Sequence, residues 1–295
     1  MKLLTVIIVT YNSNDIILKC LENIYLFNDI GDDLEVLIVD NSTQQVAEEL
    51  FSKVKAVHID VICLKNSKNG GYGQGNNFGI THANGKYLAI MNPDIILTEN
   101  LFHCAISHFS NTKIAMMGFK QLGGANLSMY FRPEFYCPLF TSVLTKCFNK
   151  YDYFNKNFMF LSGAFLFVNK LKFEEVGLFD EKLFLYCEES DISMRFIRKG
   201  YDIVYDNSKS YIHEIEDRKE MSDVGYNILV ESILHYLNKF SLNRLRFLRF
   251  LHFDLFLKII ISTVNRNKNS IKIYENQIEI IKKNMDKIKK KYDSN

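Results

Sequence analysis

The stretch Lys86-Tyr87-Leu88-Ala89-Ile90-Met91-Asn92-Pro93-Asp94 decides the fold. A mainly apolar run that stops on a proline reads as a buried strand, and the acid behind the proline is delivered to that strand's carboxyl end. Open α/β sheets bind their ligands at that edge. Asp94 is therefore a candidate ligand for a metal or a phosphate group. A plain turn competes with this reading, because Asn, Pro and Asp each favour turns for backbone reasons of their own.

Moving outward, the same unit recurs. Leu3 to Val9 is a β-rich run, followed at Asn12 to Asn14 by N-cap chemistry for a helix carrying Ile16, Ile17, Cys20, Leu21 and Ile24. Leu34 to Val39 ends on Asp40-Asn41-Ser42, and Val57 to Leu64 ends on Lys65-Asn66. Unbroken hydrophobic strands, each followed by a helix, predict a mostly parallel sheet covered on both faces and joined by right-handed crossovers. The expected class is a doubly wound α/β fold.

Beyond about residue 110 the pattern loosens. Ile114 to Phe119 and Gly163 to Val168 read as strands, Asp191 to Lys199 as a helix stopped by Gly200, and Ile203 to Tyr205 and Ser210 to His213 as short strands. Between them the aromatic-rich segment Tyr130 to Phe160 has little period and reads as a loop or lid. From about Asp223 the chain becomes helical. Residues 244–295 carry a net charge of +8, leaving about −6 on the rest of a chain whose total is +2.

Two features of this basic extension predict partners. Across 244–264, Arg244, Arg246, Arg249 and Lys258 stand among Phe, Leu and Ile, a composition suited to a helix lying on an anionic membrane surface; an ordinary buried helix explains the apolar residues equally well. Ile271, Tyr274, Ile278, Ile281, Met285, Ile288 and Tyr292 alternate spacings of three and four, the period of a coiled-coil seam. The seam at 271–292 predicts either a second copy or packing on the same chain.

Composition narrows the class further. At 295 residues with three prolines the chain suits one large domain with an extension and leaves little room for disordered linkers. Six scattered cysteines without a C-x-x-C pair predict reduced thiols and a cytoplasmic setting, and no run reaches the roughly 18–20 apolar residues of a spanning helix. The N-terminus reads as a strand, not a signal peptide. Basic charge confined to the tail, without a recognised motif, argues against nucleic acid.

Four clusters fall at strand ends or helix starts and are expected to meet at one sheet edge: Thr10-Tyr11-Asn12, Asp40-Asn41, Asn69-Gly70-Gly71-Tyr72-Gly73-Gln74-Gly75-Asn76, and Asn92-Pro93-Asp94. An aromatic, two carboxylates and a bare backbone are what a nucleotide diphosphate requires. The glycine stretch lacks both the G-x-G-x-x-G spacing and a following G-K-[ST], which weakens a dinucleotide site and excludes a P-loop. Asp40 reads as a base- or ribose-binding acid or as a simple N-cap. Farther on, Glu188-Glu189-Ser190-Asp191 is either an acidic helix start or a set of carboxyls crowded enough to prepare a general base. His213, at another strand end, is a metal-ligand candidate, though a lone histidine is more often structural.

In order and spacing these motifs, with Ser162-Gly163-Ala164, resemble the family 2 glycosyltransferases, especially rhamnosyltransferase-like members, over roughly residues 3–215. The resemblance implies a GT-A, Rossmann-like fold over 1–222, with a donor-binding half (about 1–110), an acceptor half (about 111–222), and a helical extension over 223–295. It implies a nucleotide-sugar donor, UDP- or dTDP-linked, and a glycan or lipid-linked glycan acceptor in surface polysaccharide synthesis, at the cytoplasmic side of a membrane. Thr10, Tyr11, Asn12, Asp40, Asn41, Asn69, Gly70, Gly71, Gly75, Asn76, Asn92 and Asp94 match donor-binding positions. Asp94 would hold Mn²⁺ or Mg²⁺, with His213 as a second ligand. Glu189 falls where family members place an aspartate base, flanked by Glu188 and Asp191. A noncatalytic nucleotide-sugar-binding or scaffold protein of a glycan-synthesis assembly is the alternative.

Overall fold

The computed structural model describes residues 2–13, 16–123, 127–214 and 221–293, with side chains up to residue 290. The first half reads β1 (Lys2–Thr10), α1 (Ile16–Leu26), β2 (Leu34–Asp40), α2 (Gln44–Val57), β3 (Ile62–Lys65), α3 (Gly71–His82) and β4 (Gly85–Met91). The middle adds β5 (Ile95–Leu97), α4 (Phe102–His108), β6 (Ile114–Leu122), β7 (Met129–Phe131), α5 (Phe140–Lys150), β8 (Met159–Leu161) and β9 (Phe165–Asn169). The remainder is α6 (Lys170–Glu175), α7 (Glu188–Arg198), β10 (Asp202–His213), α8 (Asp223–Lys239), α9 (Arg244–Val264) and α10 (Lys268–Asp293).

Eight strands form one sheet in the order β3-β2-β1-β4-β9-β6-β10-β5. β9 runs against β4 and β6, and β5 against β10; the other neighbouring pairs are parallel. The doubly wound, mostly parallel α/β expectation holds. Its cause is visible within β1, where alternate side chains enter opposite layers. Leu4, Val6 and Ile8 pack with Ile17, Leu21 and Ile24 of α1, whereas Ile7 packs in the opposite layer with Ile80 of α3 and Ile192 and Phe196 of α7. A third apolar cluster joins α8, α9 and α10, and Leu183 and Cys187 connect it to the sheet body.

Several local expectations need correction. Val57 ends α2, so the third strand begins only at Ile62. Ile203–Tyr205 and Ser210–His213 are parts of one strand, β10, because a register shift between Asp206 and Ser210 accommodates the polar Asn207-Ser208-Lys209 without ending the strand. The segment 130–160 is built, not loose: β7 and β8 pair, α5 lies between them in sequence, and Phe131 stacks on Phe158 at 5.4 Å. Ring-to-ring packing supplies its order, and that leaves no period to read. α7 starts at Glu188, three residues before the expected Asp191, so the acids occupy its first turn. The proposed helix cap at Asn14 lies outside the described residues.

The seam of α10 packs against α9 and α8 of the same chain, with Ile278, Ile281 and Ile288 buried there; Tyr292 lies beyond the described side chains. Of the two readings of that seam, the intrachain one is realised. α9 carries apolar residues on every face, and its outer stripe runs Arg246, Arg249, Phe253, Phe256, Ile260, Val264, all exposed. Among the described residues no helix is long and apolar enough to cross a membrane.

Candidate active site

The carboxyl ends of β1 and β2 lie side by side, pairing Thr10 with Asp40. Asp40 is wholly buried, and both of its oxygens are engaged. The Thr10 hydroxyl donates to Oδ2 at 2.7 Å, and the Ser42 backbone N–H donates to Oδ1 at 2.8 Å. The Ser42 hydroxyl also donates to Oδ2, at 3.2 Å. Asn12, at a left-handed φ of 48°, closes the turn by donating its N–H to Ser42 Oγ at 2.6 Å. Tyr11 next to it is 57% exposed, leaving a free ring face beside a buried acid.

Asn41 extends this platform to the glycine stretch. Its amide donates to Gly71 O at 3.2 Å and its Oδ1 accepts from Asn66 at 2.8 Å. Asn69 Oδ1 accepts the Gly71 N–H at 3.1 Å, fixing the first turn of α3. Gly71 needs to be glycine: φ is +90°, and a Cβ would lie 1.9 Å from Phe184 O. Gly75 is small for a different reason, since a Cβ there would meet Val9 Cγ1 at 2.8 Å. One turn later Gly79 likewise meets Ile7 Cγ2 at 2.7 Å, so this face of α3 lies directly on β1. Gly70 precedes the helix, beneath the Gln74 side chain, and the buried Asn76 donates back to Tyr72 O at 3.0 Å.

Asp94 and His213 come together from positions 119 residues apart. His213 Nε2 lies 3.1 Å from Asp94 Oδ2, because β5, which follows Asp94, pairs antiparallel with the last residues of β10. The Asn92 N–H donates to Ala164 O at 2.8 Å, tying the end of β4 to the start of β9.

A cavity of about 560 Å³ opens beside these residues. Asn92, Gly163, Glu188, Glu189 and His213 form its polar side, and Tyr136, Phe160, Leu229, Ile233, Phe247 and Leu251 its apolar side. Thr10, Tyr11 and Asp40 lie at the neighbouring strand ends and are not part of its wall. Glu189 Oε1 accepts the Gly163 N–H at 3.1 Å, and Gly163 must lack a side chain there because a Cβ would sit 2.1 Å from that oxygen. Burial pushes the Glu189 carboxyl above its ordinary range, with its own and the Gly163 N–H groups pulling the other way. Glu188, with Oε1 unpartnered, is raised well above that range by burial and then by the adjacent Glu189. Before them, Tyr186 and Cys187 both take left-handed φ, 73° and 71°, a strained entry of the kind found at functional sites.

Asp191 belongs to another network. It accepts from Arg195 Nε at 2.8 Å, and its second oxygen lies 2.6 Å from Lys239 Nζ of α8. Lys239 also reaches Asp180 at 2.8 Å, and His235 reaches it at 3.0 Å. Although burial opposes it, these partners and the Lys182 N–H hold Asp180 well below the usual carboxylate range. Lys239 and the α8–α9 wall gave no signal in the sequence motifs, since they lie beyond residue 222. Tyr72 did stand in the glycine stretch; its hydroxyl donates to Gly163 O at 2.9 Å and its ring lines the cavity.

The sequence model for Glycosyl transferase family 2 matches residues 5–177. The low-salt glycan biosynthesis hexosyltransferase Agl10 of Haloferax volcanii is 24% identical over 205 residues, 68% of this chain and 63% of its own length. The rhamnosyltransferase WbbL of Escherichia coli K12 is 22% identical over 249 residues, 79% of this chain and 91% of its own. Among solved structures, the mannosyltransferase PcManGT of Pyrobaculum calidifontis, in complex with GDP-Man and Mn²⁺, superposes with a TM-score of 0.63 at 15% identity, over 94% of this chain and 84% of its own. That likeness gives the fold, GT-A.

Proposed function

We propose that this chain, which belongs to glycosyl transferase family 2, is an inverting hexosyltransferase that moves a sugar from a nucleotide-diphosphate donor to a glycan or lipid-linked glycan acceptor. The observation that carries this reading is one cavity shared by Glu189, Asn92 and His213, the last paired with Asp94. The nucleoside lies along Thr10, Tyr11 and Asp40, with Tyr11 offering its ring to the base. The diphosphate then crosses Asn41, Asn69, Gly70 and Gly71 toward Asn92 and Asp94. Residues 1–222 act as the transferase domain and 223–295 as an extension that completes the acceptor wall.

The pair Asp94 and His213 fits a divalent cation such as Mn²⁺ or Mg²⁺. The Asp94 carboxylate oxygen and the His213 imidazole nitrogen, 3.1 Å apart, would hold such an ion between them. When bound, that ion neutralises charge on the departing diphosphate. Glu189 takes the proton of the acceptor hydroxyl; the new bond from that oxygen to the anomeric carbon forms as the bond from that carbon to the diphosphate oxygen breaks. The Gly163 N–H holds Glu189 Oε1 and leaves Oε2 for the acceptor. Its raised pKa brings the base nearer to neutrality, where proton transfer is effective.

The apolar half of the cavity favours an acceptor that carries apolar surface as well as a reacting hydroxyl. The outer stripe of α9, with Arg246 and Arg249 leading into Phe253, Phe256 and Ile260, suits contact with an anionic membrane at its cytoplasmic face. The decisive experiment measures transfer and hydrolysis across a panel of UDP- and dTDP-sugars with Mn²⁺, using wild type and Glu189→Gln. Turnover of one donor, lost in the variant while its stabilising thermal shift persists, supports the reading. Binding without turnover in the wild type supports the noncatalytic alternative, and silence from every donor removes the donor site.

A further inference from the structure

We infer that the chain carries a second cation site, built from Cys104, His108 and Asp206, that binds zinc and clasps α4 to β10. Cys104 and His108 are four residues apart on α4, so both side chains emerge on one helical face. Asp206 meets them from β10 at the register shift, where the strand bends and redirects its side chains. Asp206 Oδ2 lies 2.8 Å from His108 Nε2 and 3.8 Å from Cys104 Sγ. All three donor atoms fall within 4.8 Å of one another. Ligands at zinc distances of about 2.0–2.3 Å in a tetrahedron stand roughly 3.3–3.8 Å apart, so the Cys104–Asp206 separation of 3.8 Å already matches and the His108–Asp206 separation of 2.8 Å has to open by about half an ångström. Among the described residues this is the one group of three such donors.

The donor set also selects the ion. One thiolate, one imidazole and one carboxylate suit borderline-soft zinc or cobalt, whereas magnesium and manganese prefer oxygen. The three side chains are partly exposed, which gives an ion a path inward and a fourth position for water. Asp29 stands nearby, its carboxylate accepting the His103 N–H at 3.1 Å, and Lys209 is turned aside into an ion pair with Glu99 at 2.9 Å. Binding the ion releases the Cys104 thiol proton and replaces the His108–Asp206 hydrogen bond with two metal–ligand bonds.

The position is informative. β10 carries both Asp206 and His213, and α4 follows β5, the strand that brings Asp94 to His213. Zinc would therefore fasten the far side of the same β5–β10 unit, away from the cavity, and the site is structural rather than catalytic.

The test uses the full-length protein, stripped with chelator and reloaded with Zn²⁺ or Co²⁺, in an Asp94→Asn background so that the Asp94–His213 pair does not contribute. The expected result is one tightly held zinc, a rise in melting temperature, and a thiolate-to-cobalt charge-transfer band in the near ultraviolet. Cys104→Ser should abolish that band and weaken zinc binding by at least about 100-fold, since even outer-shell partners contribute about 10–100-fold. Asp206→Asn, which keeps a hydrogen-bonding side chain beside His108, should weaken zinc as well while the metal-free melting temperature stays close to that of the parent. A cobalt spectrum without the sulfur band, or zinc affinity unchanged in both variants, would overturn the site and leave a hydrogen-bonded cluster.

Discussion

At the end of β2, Asp40 is completely enclosed and receives three hydrogen bonds, from Thr10 and from the backbone and hydroxyl of Ser42. At the start of α7, Glu188 is buried and Glu189 half-buried against the cavity, both with far less support: Glu189 has the Gly163 N–H, and Glu188 Oε1 has no partner. Satisfying a buried acid makes it a fixed part of the architecture, whereas leaving it under-satisfied keeps its proton exchangeable. On the function proposed above, the two regions divide the work of holding a ligand and of reacting with one.

The comparison breaks most sharply at Glu189. Glu189→Gln keeps the shape and removes the base, so transfer should fall by about 10²–10⁴-fold with donor affinity unchanged; a variant of near-normal rate would show that the acid near Gly163 does no proton transfer. Asp40→Ala should act on folding instead. It strands the Thr10 and Ser42 donors, at about 1–3 kcal/mol for each buried group left unpaired, and should lower the urea midpoint clearly. An unchanged midpoint would mean that Asp40 is no more structural than Glu189.

Gly163→Ala sharpens the contrast, because the added methyl would sit 2.1 Å from Glu189 Oε1 and push the carboxyl off its N–H anchor. Transfer should drop by about 10–100-fold, the order expected for misplacing a reacting group by an ångström. The smallest effect is on pH. Both glutamates have raised folded-state pKa values, so between the ordinary and the raised values the folded chain keeps protons that the unfolded chain has already lost. Stability therefore falls as pH rises through that window, while the fraction of deprotonated base, and so the transfer rate, rises. Glu188→Gln should flatten the stability curve measured by urea titration at a series of pH values. A curve as steep as that of wild type would place the titration elsewhere.

The placement of Asp40 and Asp94 was legible because strand ends advertise themselves: each closes a run too apolar to carry a stray charge. That Glu188 and Glu189 belong to the wall of a cavity was legible from acids set against Leu183, Phe184 and Leu185. The identity of the remaining parts was hidden by distance or by chemistry without period. Lys239 is forty-eight positions from Asp191, and no local pattern links them. α5 and its neighbours are ordered by ring contacts such as Phe148 with Phe158, which scatter along the sequence. Gly75 and Gly79 read equally well as a ligand cradle or as helix–sheet packing until the methyl groups of Val9 and Ile7 are found against them.

Lys239 answers two acids at once, Asp180 and Asp191, the second with no solvent exposure. A chain cut after residue 222 would strand that second carboxylate with Arg195 alone, at the energetic penalty of an uncompensated buried charge. The extension is thus not an interchangeable appendage. Chimeras that graft a different tail onto this catalytic body should fold only when the incoming helix supplies a cation at the same place, so that acceptor preference and the integrity of α7 are inherited together.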